Sequence, residues 1–229
     1  MKTSNKLLFI LLSVLFATTI FIDFLLKRNY LKINLNYSFK NYEPVAIGPF
    51  KYLKIKGGNG YAIEIKHATK LDMKVMTSRK RFLTATQHGD TLLIEFTVMS
   101  SMAMRDPERL SHGLIISSPE IAEIVADGSN NIINDWKTDS LKLILTGNAS
   151  ANINNADIGK LTAIGNQNSV FNFRSGNKTR QLNLRLKDNA AAFFQNITYF
   201  NLDPVLTDNS QLSFSAQSAS KLKIDDGNN

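Results

Sequence analysis

The chain has 229 residues, of which 43% are hydrophobic, and it carries a formal net charge of +8 at pH 7. This composition is typical of a globular protein and excludes an intrinsically disordered one. Cysteine is absent, which excludes disulfide bonds, thiolate metal sites, thiol nucleophiles and a lipid-modified N-terminal cysteine.

The N-terminal segment is first basic and then apolar. Two lysines lie in residues 1–6, and residues 7–26 form a 20-residue, mainly apolar stretch that ends before Lys27 and Arg28. As a helix this stretch is about 30 Å long, which matches the hydrocarbon core of a bilayer. We predict a retained transmembrane signal anchor, with a signal peptide cleaved after Ala17–Thr19 as the alternative.

The orientation of this anchor is not set by charge, because basic residues are nearly balanced on its two sides. Both interpretations export the remainder of the chain. We expect the exported part to lie on the external side of this membrane, because it is rich in asparagine and in β-strand patterns.

The next part of the chain changes from irregular to alternating. Residues 27–48 lack a strong period and are predicted to be a linker with room for one strand. From residue 49 onward, segments such as YLKIKG, AIEIKH and LLIEFTV alternate apolar and polar residues, which is typical of half-buried strands. The sequences GGNG and HGD separate these segments, and GGNG is predicted to be a hairpin turn.

The second half of the chain repeats at intervals of about 20 residues. Two apolar series advance together, and Asn, Asp and Gly recur between them as turn residues. The first series has steps of 20, 20, 21 and 20 residues: Ile133, Ile153, Phe173, Phe194 and Phe214. The second has steps of 20, 21, 18 and 20 residues: Leu143, Ala163, Leu184, Leu202 and Leu222.

Repeats of this kind predict a stacked architecture. A unit of about 20 residues with two short strands cannot bury its apolar side alone, whereas stacked units align these sides into one core. We therefore predict an all-β fold in which residues 49–225 form a β-solenoid of about five coils, beginning with short alternating strands and followed by a tail at 226–229. Asparagines are expected at left-handed corners and in ladders between coils.

The order of these features resembles a known bacterial envelope family. FKYLKIKGGNGYAIEIKH is followed by HGDTLLIEF, by LIISSPEIAEIVADGSN, and by repeats that begin TGNASANI and GNQNSVFNF. This arrangement is similar, over residues 49–224, to the family named "putative auto-transporter adhesin, head GIN domain". The resemblance implies a β-helical exported domain without an established enzyme activity, and it supplies no site residues.

Few side chains suit catalysis. The three histidines, His67, His88 and His112, fall in predicted turns or loops, and no pair has metal-ligand spacing. A glycan-active β-helix enzyme remains an alternative, but most of its candidate acids coincide with corners, where Asp is common. These acids are Asp135, Asp139, Asp157, Asp188, Asp203 and Asp208. We predict that the protein is not an enzyme and has no metal or cofactor.

The outward positions of the repeats indicate two surfaces. If the strands stack in register, Lys142, Arg185, Lys187 and Lys223 form a basic stripe, which we expect to bind an anionic glycan or a lipid head group. Nucleic acid is not an expected partner, and protection of the sheet edge by lysine is the alternative role. The other surface is rich in groups that hydrogen-bond sugars or one another: Ser150, Asn152, Asn154, Asn172, Arg174, Gln195, Gln211, Ser213 and Ser215.

The predicted function is therefore a non-enzymatic, membrane-anchored binding or adhesion module of the cell envelope. The alternative is a structural or regulatory envelope protein that binds another protein.

Overall fold

The computed structural model describes residues 3–30, 41–58, 62–97, 112–195 and 198–219. The chain divides into two units, Met1–Lys40 and Asn41–Asn229. It is mostly β, with one apolar helix near the N-terminus.

The first unit contributes helix α1, Thr3–Tyr30. Within it, Phe9–Arg28 is a span of 20 residues with a mean hydropathy of 2.4. A helix of this length and composition is able to cross a membrane, and a signal sequence has the same features.

The second unit is built from strands. In chain order they are β1 (Tyr42–Pro44), β2 (Tyr52–Lys56), β3 (Ala62–His67), β4 (Asp72–Met76), β5 (Leu83–His88), β6 (Thr91–Phe96), β7 (His112–Ser118), β8 (Glu123–Asp127), β9 (Asn130–Asn134), β10 (Lys137–Thr146), β11 (Ser150–Asn154), β12 (Asp157–Gly165), β13 (Val170–Phe173), β14 (Lys178–Leu186), β15 (Ala191–Phe194), β16 (Thr198–Leu206) and β17 (Gln211–Phe214). A 3-10 helix, Thr77–Phe82, follows β4, and the short helix α2, Ala216–Ala219, follows β17.

These strands form two sheets. Sheet A has the order β1-β4-β7-β3-β9-β11-β13-β15-β17, and sheet B has the order β16-β14-β12-β10-β8-β2-β6-β5. Most neighbours are parallel, and the antiparallel pairs β1–β4, β4–β7 and β5–β6 lie at one end of each sheet. From β8 onward, successive strands alternate between sheet B and sheet A.

The first apolar series is confirmed as one row of neighbours in sheet A. Ile133 pairs with Ile153, which pairs with Phe173, and the row continues through Phe194 to Phe214. The rings of Phe173 and Phe194 stack with centroids 4.6 Å apart, and those of Phe194 and Phe214 are 5.0 Å apart. This row belongs to one apolar core to which both sheets contribute.

The second series is confirmed in sheet B only as far as Leu184. Leu143, Ala163 and Leu184 are register partners, but the assignment of Leu202 was wrong, because Leu184 pairs with Pro204 and Leu202 pairs with Leu182. The register offset between β14 and β16 is 20 residues, so Pro204 takes the place next to Leu184 in this row. Proline is tolerated there because β16 is the terminal strand of sheet B in the described structure. Leu222 lies outside the described residues.

The turns from sheet B to sheet A explain the many asparagines. The four turns that follow β10, β12, β14 and β16 each have two consecutive residues with positive φ: Gly147–Asn148, Gln167–Asn168, Asp188–Asn189 and Asp208–Asn209. The backbone N–H groups of Asn148, Asn168 and Asn189 each donate to a carbonyl of the next turn at 3.0 Å. The prediction of left-handed corners is confirmed, since Asn and Gly adopt this conformation at low cost.

One detail of the first half differs from the sequence predictions, and another agrees with them. GGNG does not connect a hairpin, because β2 lies in sheet B and β3 lies in sheet A. Strand β1 pairs with β4 and lies within residues 27–48, the segment predicted to be a linker with one strand. The boundary at residue 225 and the tail stay predictions, because they lie outside the described residues.

Candidate binding surfaces

Arg185 lies in a mainly apolar row on the outer face of sheet B. In this row Val125 pairs with Ile144, Ile144 with Ile164, Ile164 with Arg185, and Arg185 with Val205. The side chains of the first four residues of this row point away from the core, since the residues on either side of each in sequence, such as Leu184 and Leu186, are buried. Val205 belongs to the terminal described strand, where its neighbours Pro204 and Leu206 are also exposed. Because alternate residues of each strand face outward, the outer face of sheet B carries a row of apolar side chains that includes one cation, Arg185.

Arg185 and Lys187 lie on the same surface depression, which has a volume of about 340 Å³. Apolar atoms of Ile164, Leu186 and Val205 form part of its wall. Val205 is 45% exposed, because β16 is the terminal described strand of sheet B. Two of the four residues predicted to form the basic stripe are thus brought together over an apolar surface.

The guanidinium of Arg185 is held by its neighbour in β16. Nη2 lies 2.7 Å from Oδ2 of Asp203, and Nη1 donates to the backbone carbonyls of Asp203 at 2.9 Å and Leu184 at 3.1 Å. A guanidinium has five N–H donors, so these contacts leave Nε–H and one Nη2–H for a ligand. Asp203 orients the cation and also cancels part of its charge.

Lys142 and Lys187 also lie on this side of sheet B and also have acidic neighbours. Nζ of Lys142 in β10 is 2.8 Å from Oε2 of Glu123, and Nζ of Lys187 is 3.7 Å from Oδ2 of Asp188. Lys142 lies two strands from β14 and does not line the depression. Lys223 lies outside the described residues.

The net charge of the whole chain overstates the charge of the β unit. Residues 1–40 hold six basic side chains and one acidic side chain, so they supply five of the eight net positive charges. The β unit therefore exerts only a weak long-range field. An anion would be bound by local donors such as Arg185 and Lys187 rather than by the overall charge.

The outer face of sheet A carries amides, and several in its upstream part hydrogen-bond to neighbouring strands. Nδ2 of Asn154 donates to Oδ1 of Asn134 at 2.8 Å, Nδ2 of Asn134 donates to Oε1 of Glu64 at 2.9 Å, and Oγ of Ser150 donates to Oδ1 of Asn130 at 3.0 Å. The prediction of polar ladders between neighbouring strands is confirmed at these positions.

Phe193 is a surface residue that the sequence interpretation did not single out. It is 37% exposed and pairs with Asn172 on one side and Ser213 on the other. The signal was present in the sequence, because Phe194 belongs to the core series and its neighbour must then face outward.

The structure gives the candidate acids structural positions. Asp135, Asp188 and Asp208 have positive φ in turns, and Asp157 is the first residue of β12. Asp203 forms an ion pair with Arg185, and Asp139 lies 3.5 Å from Arg180. Among the described residues, no group of three or more His, Asp or Glu side chains is placed to hold a metal ion.

The histidines occupy the ends of strands rather than turns. His67 ends β3 and packs edge-on against Trp136, with ring centroids 5.7 Å apart. His88 ends β5. His112 begins β7, and its Nδ1 lies 4.0 Å from Oε2 of Glu64.

Solved structures similar to this chain include three putative adhesins. A putative adhesin from Parabacteroides merdae has a TM-score of 0.42 and 12% identity, and the match covers 76% of this chain and 95% of that protein. A putative adhesin from Bacteroides fragilis has the same TM-score and identity, with 76% and 96% covered. One from Parabacteroides distasonis has a TM-score of 0.42 and 11% identity, also with 76% and 96% covered.

No family model matches the sequence, and no curated protein matches it. Membership in the head GIN domain family stays a prediction.

Proposed function

We propose that this chain is a non-enzymatic, membrane-anchored binding module of the bacterial cell envelope. Its ligand is an anionic group of an envelope lipid or polysaccharide, a phosphate or a carboxylate, held at the depression formed by Arg185 and Lys187. The observation that carries this proposal is the position of both cations on one depression with an apolar wall.

The chemistry of the depression fits an anion. Arg185 is held in place by Asp203, so less side-chain entropy is lost when its outward N–H donors meet an oxyanion. Lys187 adds a mobile ammonium that is about half exposed. A charge-assisted hydrogen bond contributes about 1.5–3 kcal/mol, so two such contacts suffice for recognition without a strong field.

The apolar wall adds a preference for amphiphilic ligands. Ile164 and Val205 present aliphatic surface beside the two cations, and burying such surface contributes about 25 cal/mol per Å². A lipid with an anionic head group uses both features, whereas a polysaccharide uses mainly the cations. The two sources are therefore distinguishable by experiment.

The arrangement of the strands supports a finer description of the fold. Strands β8 to β17 alternate between the two sheets and pair in parallel at a repeat of 19 to 21 residues. We propose that these strands form successive coils of a β-solenoid, with sheets A and B as two of its faces. Such a stack offers long, flat outer faces, which suit binding to extended ligands.

The anchor and the location are part of the same proposal. Helix α1 stays in the mature protein and inserts in the inner membrane, and the β unit lies on the periplasmic side. Mass spectrometry of the mature N-terminus from membrane fractions tests this point. A mature chain that begins between residues 18 and 25 would show that α1 is a cleaved signal sequence.

The binding test uses the full chain in nanodiscs of zwitterionic lipid. Calorimetric titrations compare the soluble short-chain lipid dihexanoyl phosphatidylglycerol with the carboxylate polymer polygalacturonate, and dihexanoyl phosphatidylcholine serves as the uncharged control. We expect binding of an anionic probe that weakens as salt rises, because the Debye length is only about 8 Å at physiological ionic strength. The stronger of the two anionic probes identifies the source of the anion.

The double change Arg185→Gln and Lys187→Gln should weaken binding at least about tenfold, the loss that corresponds to about 1.4 kcal/mol. The matched control changes Lys66 and Lys74 to Gln. Both residues lie on sheet A, and their replacement removes two positive charges, as the double change on sheet B does. Equal weakening by the two double variants would show that only net charge matters and would contradict a site at the depression.

A quadruple variant with Lys142, Arg185, Lys187 and Lys223 changed to Gln separates the depression from the longer stripe. If the depression alone binds, the quadruple variant weakens binding no further than the double variant. A clear additional loss would extend the site along the stripe.

A further inference from the structure

The outer face of sheet A contains an exposed aromatic ring among unpaired amides, away from the depression on sheet B. Phe193 lies in an outward row in which Asn152 pairs with Asn172, Asn172 with Phe193, and Phe193 with Ser213. Its exposed fraction is 37%, whereas the adjacent Phe194 is 1% exposed and stacked in the core. Core packing therefore accounts for an aromatic residue at Phe194, but it does not account for one at Phe193.

The polar side chains around Phe193 differ from those upstream on the same face. Asn134 and Asn154 bond to each other across neighbouring strands. Within the described part of the chain, by contrast, the side chains of Asn172, Gln211 and Ser213 have no hydrogen-bond partner in the protein. The ring is thus bordered by donors and acceptors that are free to bind a ligand.

This combination fits a sugar without charge. An aromatic face attracts the weakly positive C–H groups on one face of a pyranose ring, and amides donate to and accept from hydroxyl groups. The row from Asn152 to Ser213 itself contains no charged side chain. The exposed cation Arg174 lies two residues beyond Asn172, outside the row, so a ligand that lies over the row meets amides, a hydroxyl and the ring rather than a counter-charge for a desolvated carboxylate. Its chemistry therefore complements a neutral polyol rather than an anion.

The spacing of the row suits an extended glycan. Neighbouring strands lie about 4.8 Å apart, which is close to the length of one hexose in an extended β-linked chain. A glycan that runs across the strands would place successive sugars over Asn152, Asn172, Phe193 and Ser213.

We propose that this surface binds an uncharged β-linked glycan, with Phe193 as the stacking platform and Asn172 and Gln211 as hydrogen-bonding partners. This site is independent of the anion site on sheet B and goes beyond the proposed function.

The test titrates the full chain in zwitterionic nanodiscs with three uncharged hexaoses: cellohexaose, chitohexaose and laminarihexaose. Saturation-transfer NMR and calorimetry report binding. We expect at least one hexaose to bind, and Phe193→Ala to weaken it by about tenfold, the upper range for one aromatic contact. Phe193→Trp should retain binding and Phe193→Leu should lose it, because stacking requires a ring and not only apolar surface.

The matched control is Val205→Ala, which truncates an exposed apolar side chain on sheet B. It should leave hexaose binding unchanged, and Arg185→Gln with Lys187→Gln should leave it unchanged as well. A parent chain that binds none of the three hexaoses, or a Phe193→Leu variant that binds as tightly as the parent, would overturn the proposal. If no hexaose binds but the anionic probe does, the site on sheet B is supported and the site at Phe193 is rejected. If a hexaose binds but the anionic probe does not, the site at Phe193 is supported and the site on sheet B is rejected.

Discussion

Sheets A and B share one repeat but use different side chains on both of their faces. Inside, sheet A stacks the rings of Phe173, Phe194 and Phe214, whereas sheet B stacks aliphatic residues such as Leu143 and Leu184. Outside, the described repeats of sheet A from β9 to β17 have amide ladders and an exposed ring, whereas those of sheet B from β8 to β16 have ion pairs such as Lys142–Glu123. The backbone register is thus compatible with several kinds of side chain, and each outer face is free to acquire its own binding chemistry.

The largest expected effect is in the aromatic core of sheet A. Phe173→Ala should lower the free energy of unfolding by about 3–5 kcal/mol, because the ring is buried between Ile153 and Phe194. Urea unfolding followed by the fluorescence of Trp136 measures this loss, since Trp136 is the single tryptophan and is fully buried. Asn172→Ala on the outer side of the same strand should change stability by less than about 0.5 kcal/mol. Equal losses at the two positions would mean that the register of β13 is wrong.

The aliphatic core of sheet B should respond less. Leu184→Ala is expected to cost about 2–5 kcal/mol, but without the additional loss of about 0.5–1.5 kcal/mol that an aromatic pair contributes. The same fluorescence assay compares the two sheets directly. A larger loss for Leu184→Ala than for Phe173→Ala would contradict the contrast between an aromatic and an aliphatic core.

The turns that join the two sheets should show an intermediate effect. Asn189 has a φ of 62°, so Asn189→Val should destabilise the protein by about 1–2 kcal/mol through backbone strain. Asn189→Gly serves as the control and should unfold near the parent, because glycine adopts this conformation freely. If Val is tolerated as well as Gly, the left-handed turn is not required at this corner.

The smallest expected effect is at the ion pairs of sheet B. Glu123→Gln removes the charge that faces Lys142. The side chains of Lys142 and Glu123 are 45% and 23% exposed, and surface ion pairs contribute only about 0.2–1 kcal/mol. Its unfolding midpoint should therefore remain close to that of the parent. A loss comparable to that of Leu184→Ala would show that the outer face of sheet B is a structural network rather than a binding surface.

The sequence predicted those features that depend on local alternation and on the repeat. The row from Ile133 to Phe214 follows from equal spacing, and the positive φ of Asn148, Asn168 and Asn189 follows from the turn chemistry of asparagine. The outward direction of Asn172 follows from the same alternation.

Features that depend on distant pairing were not predictable in this way. Strand β2 pairs with β8, with Tyr52 opposite Glu123, although the first half of the chain lacks the 20-residue repeat. No local sequence pattern therefore indicated the order of the early strands or the absence of a hairpin at GGNG. Leu202 was assigned to the second series because a leucine fits an apolar series better than a proline does. The residue opposite Leu184 is Pro204, two positions later in the sequence. The ion pair of Arg185 with Asp203 depends on that same register and was hidden for the same reason.

The most direct test of the anion site is the comparison of Asp203→Asn with Arg185→Gln in the same titration of the full chain. Asp203 orients Arg185 and cancels part of its charge, with Oδ2 2.7 Å from Nη2. Asn at this position keeps the backbone carbonyl and a side-chain oxygen that accept from the guanidinium but removes the negative charge, so Asp203→Asn should strengthen binding of the anionic probe. Loss of the Arg185 charge should weaken it, and both changes should lose their effect at high salt. Shifts of opposite sign are the predicted result, and weaker or unchanged binding by Asp203→Asn would contradict an anion site at the depression.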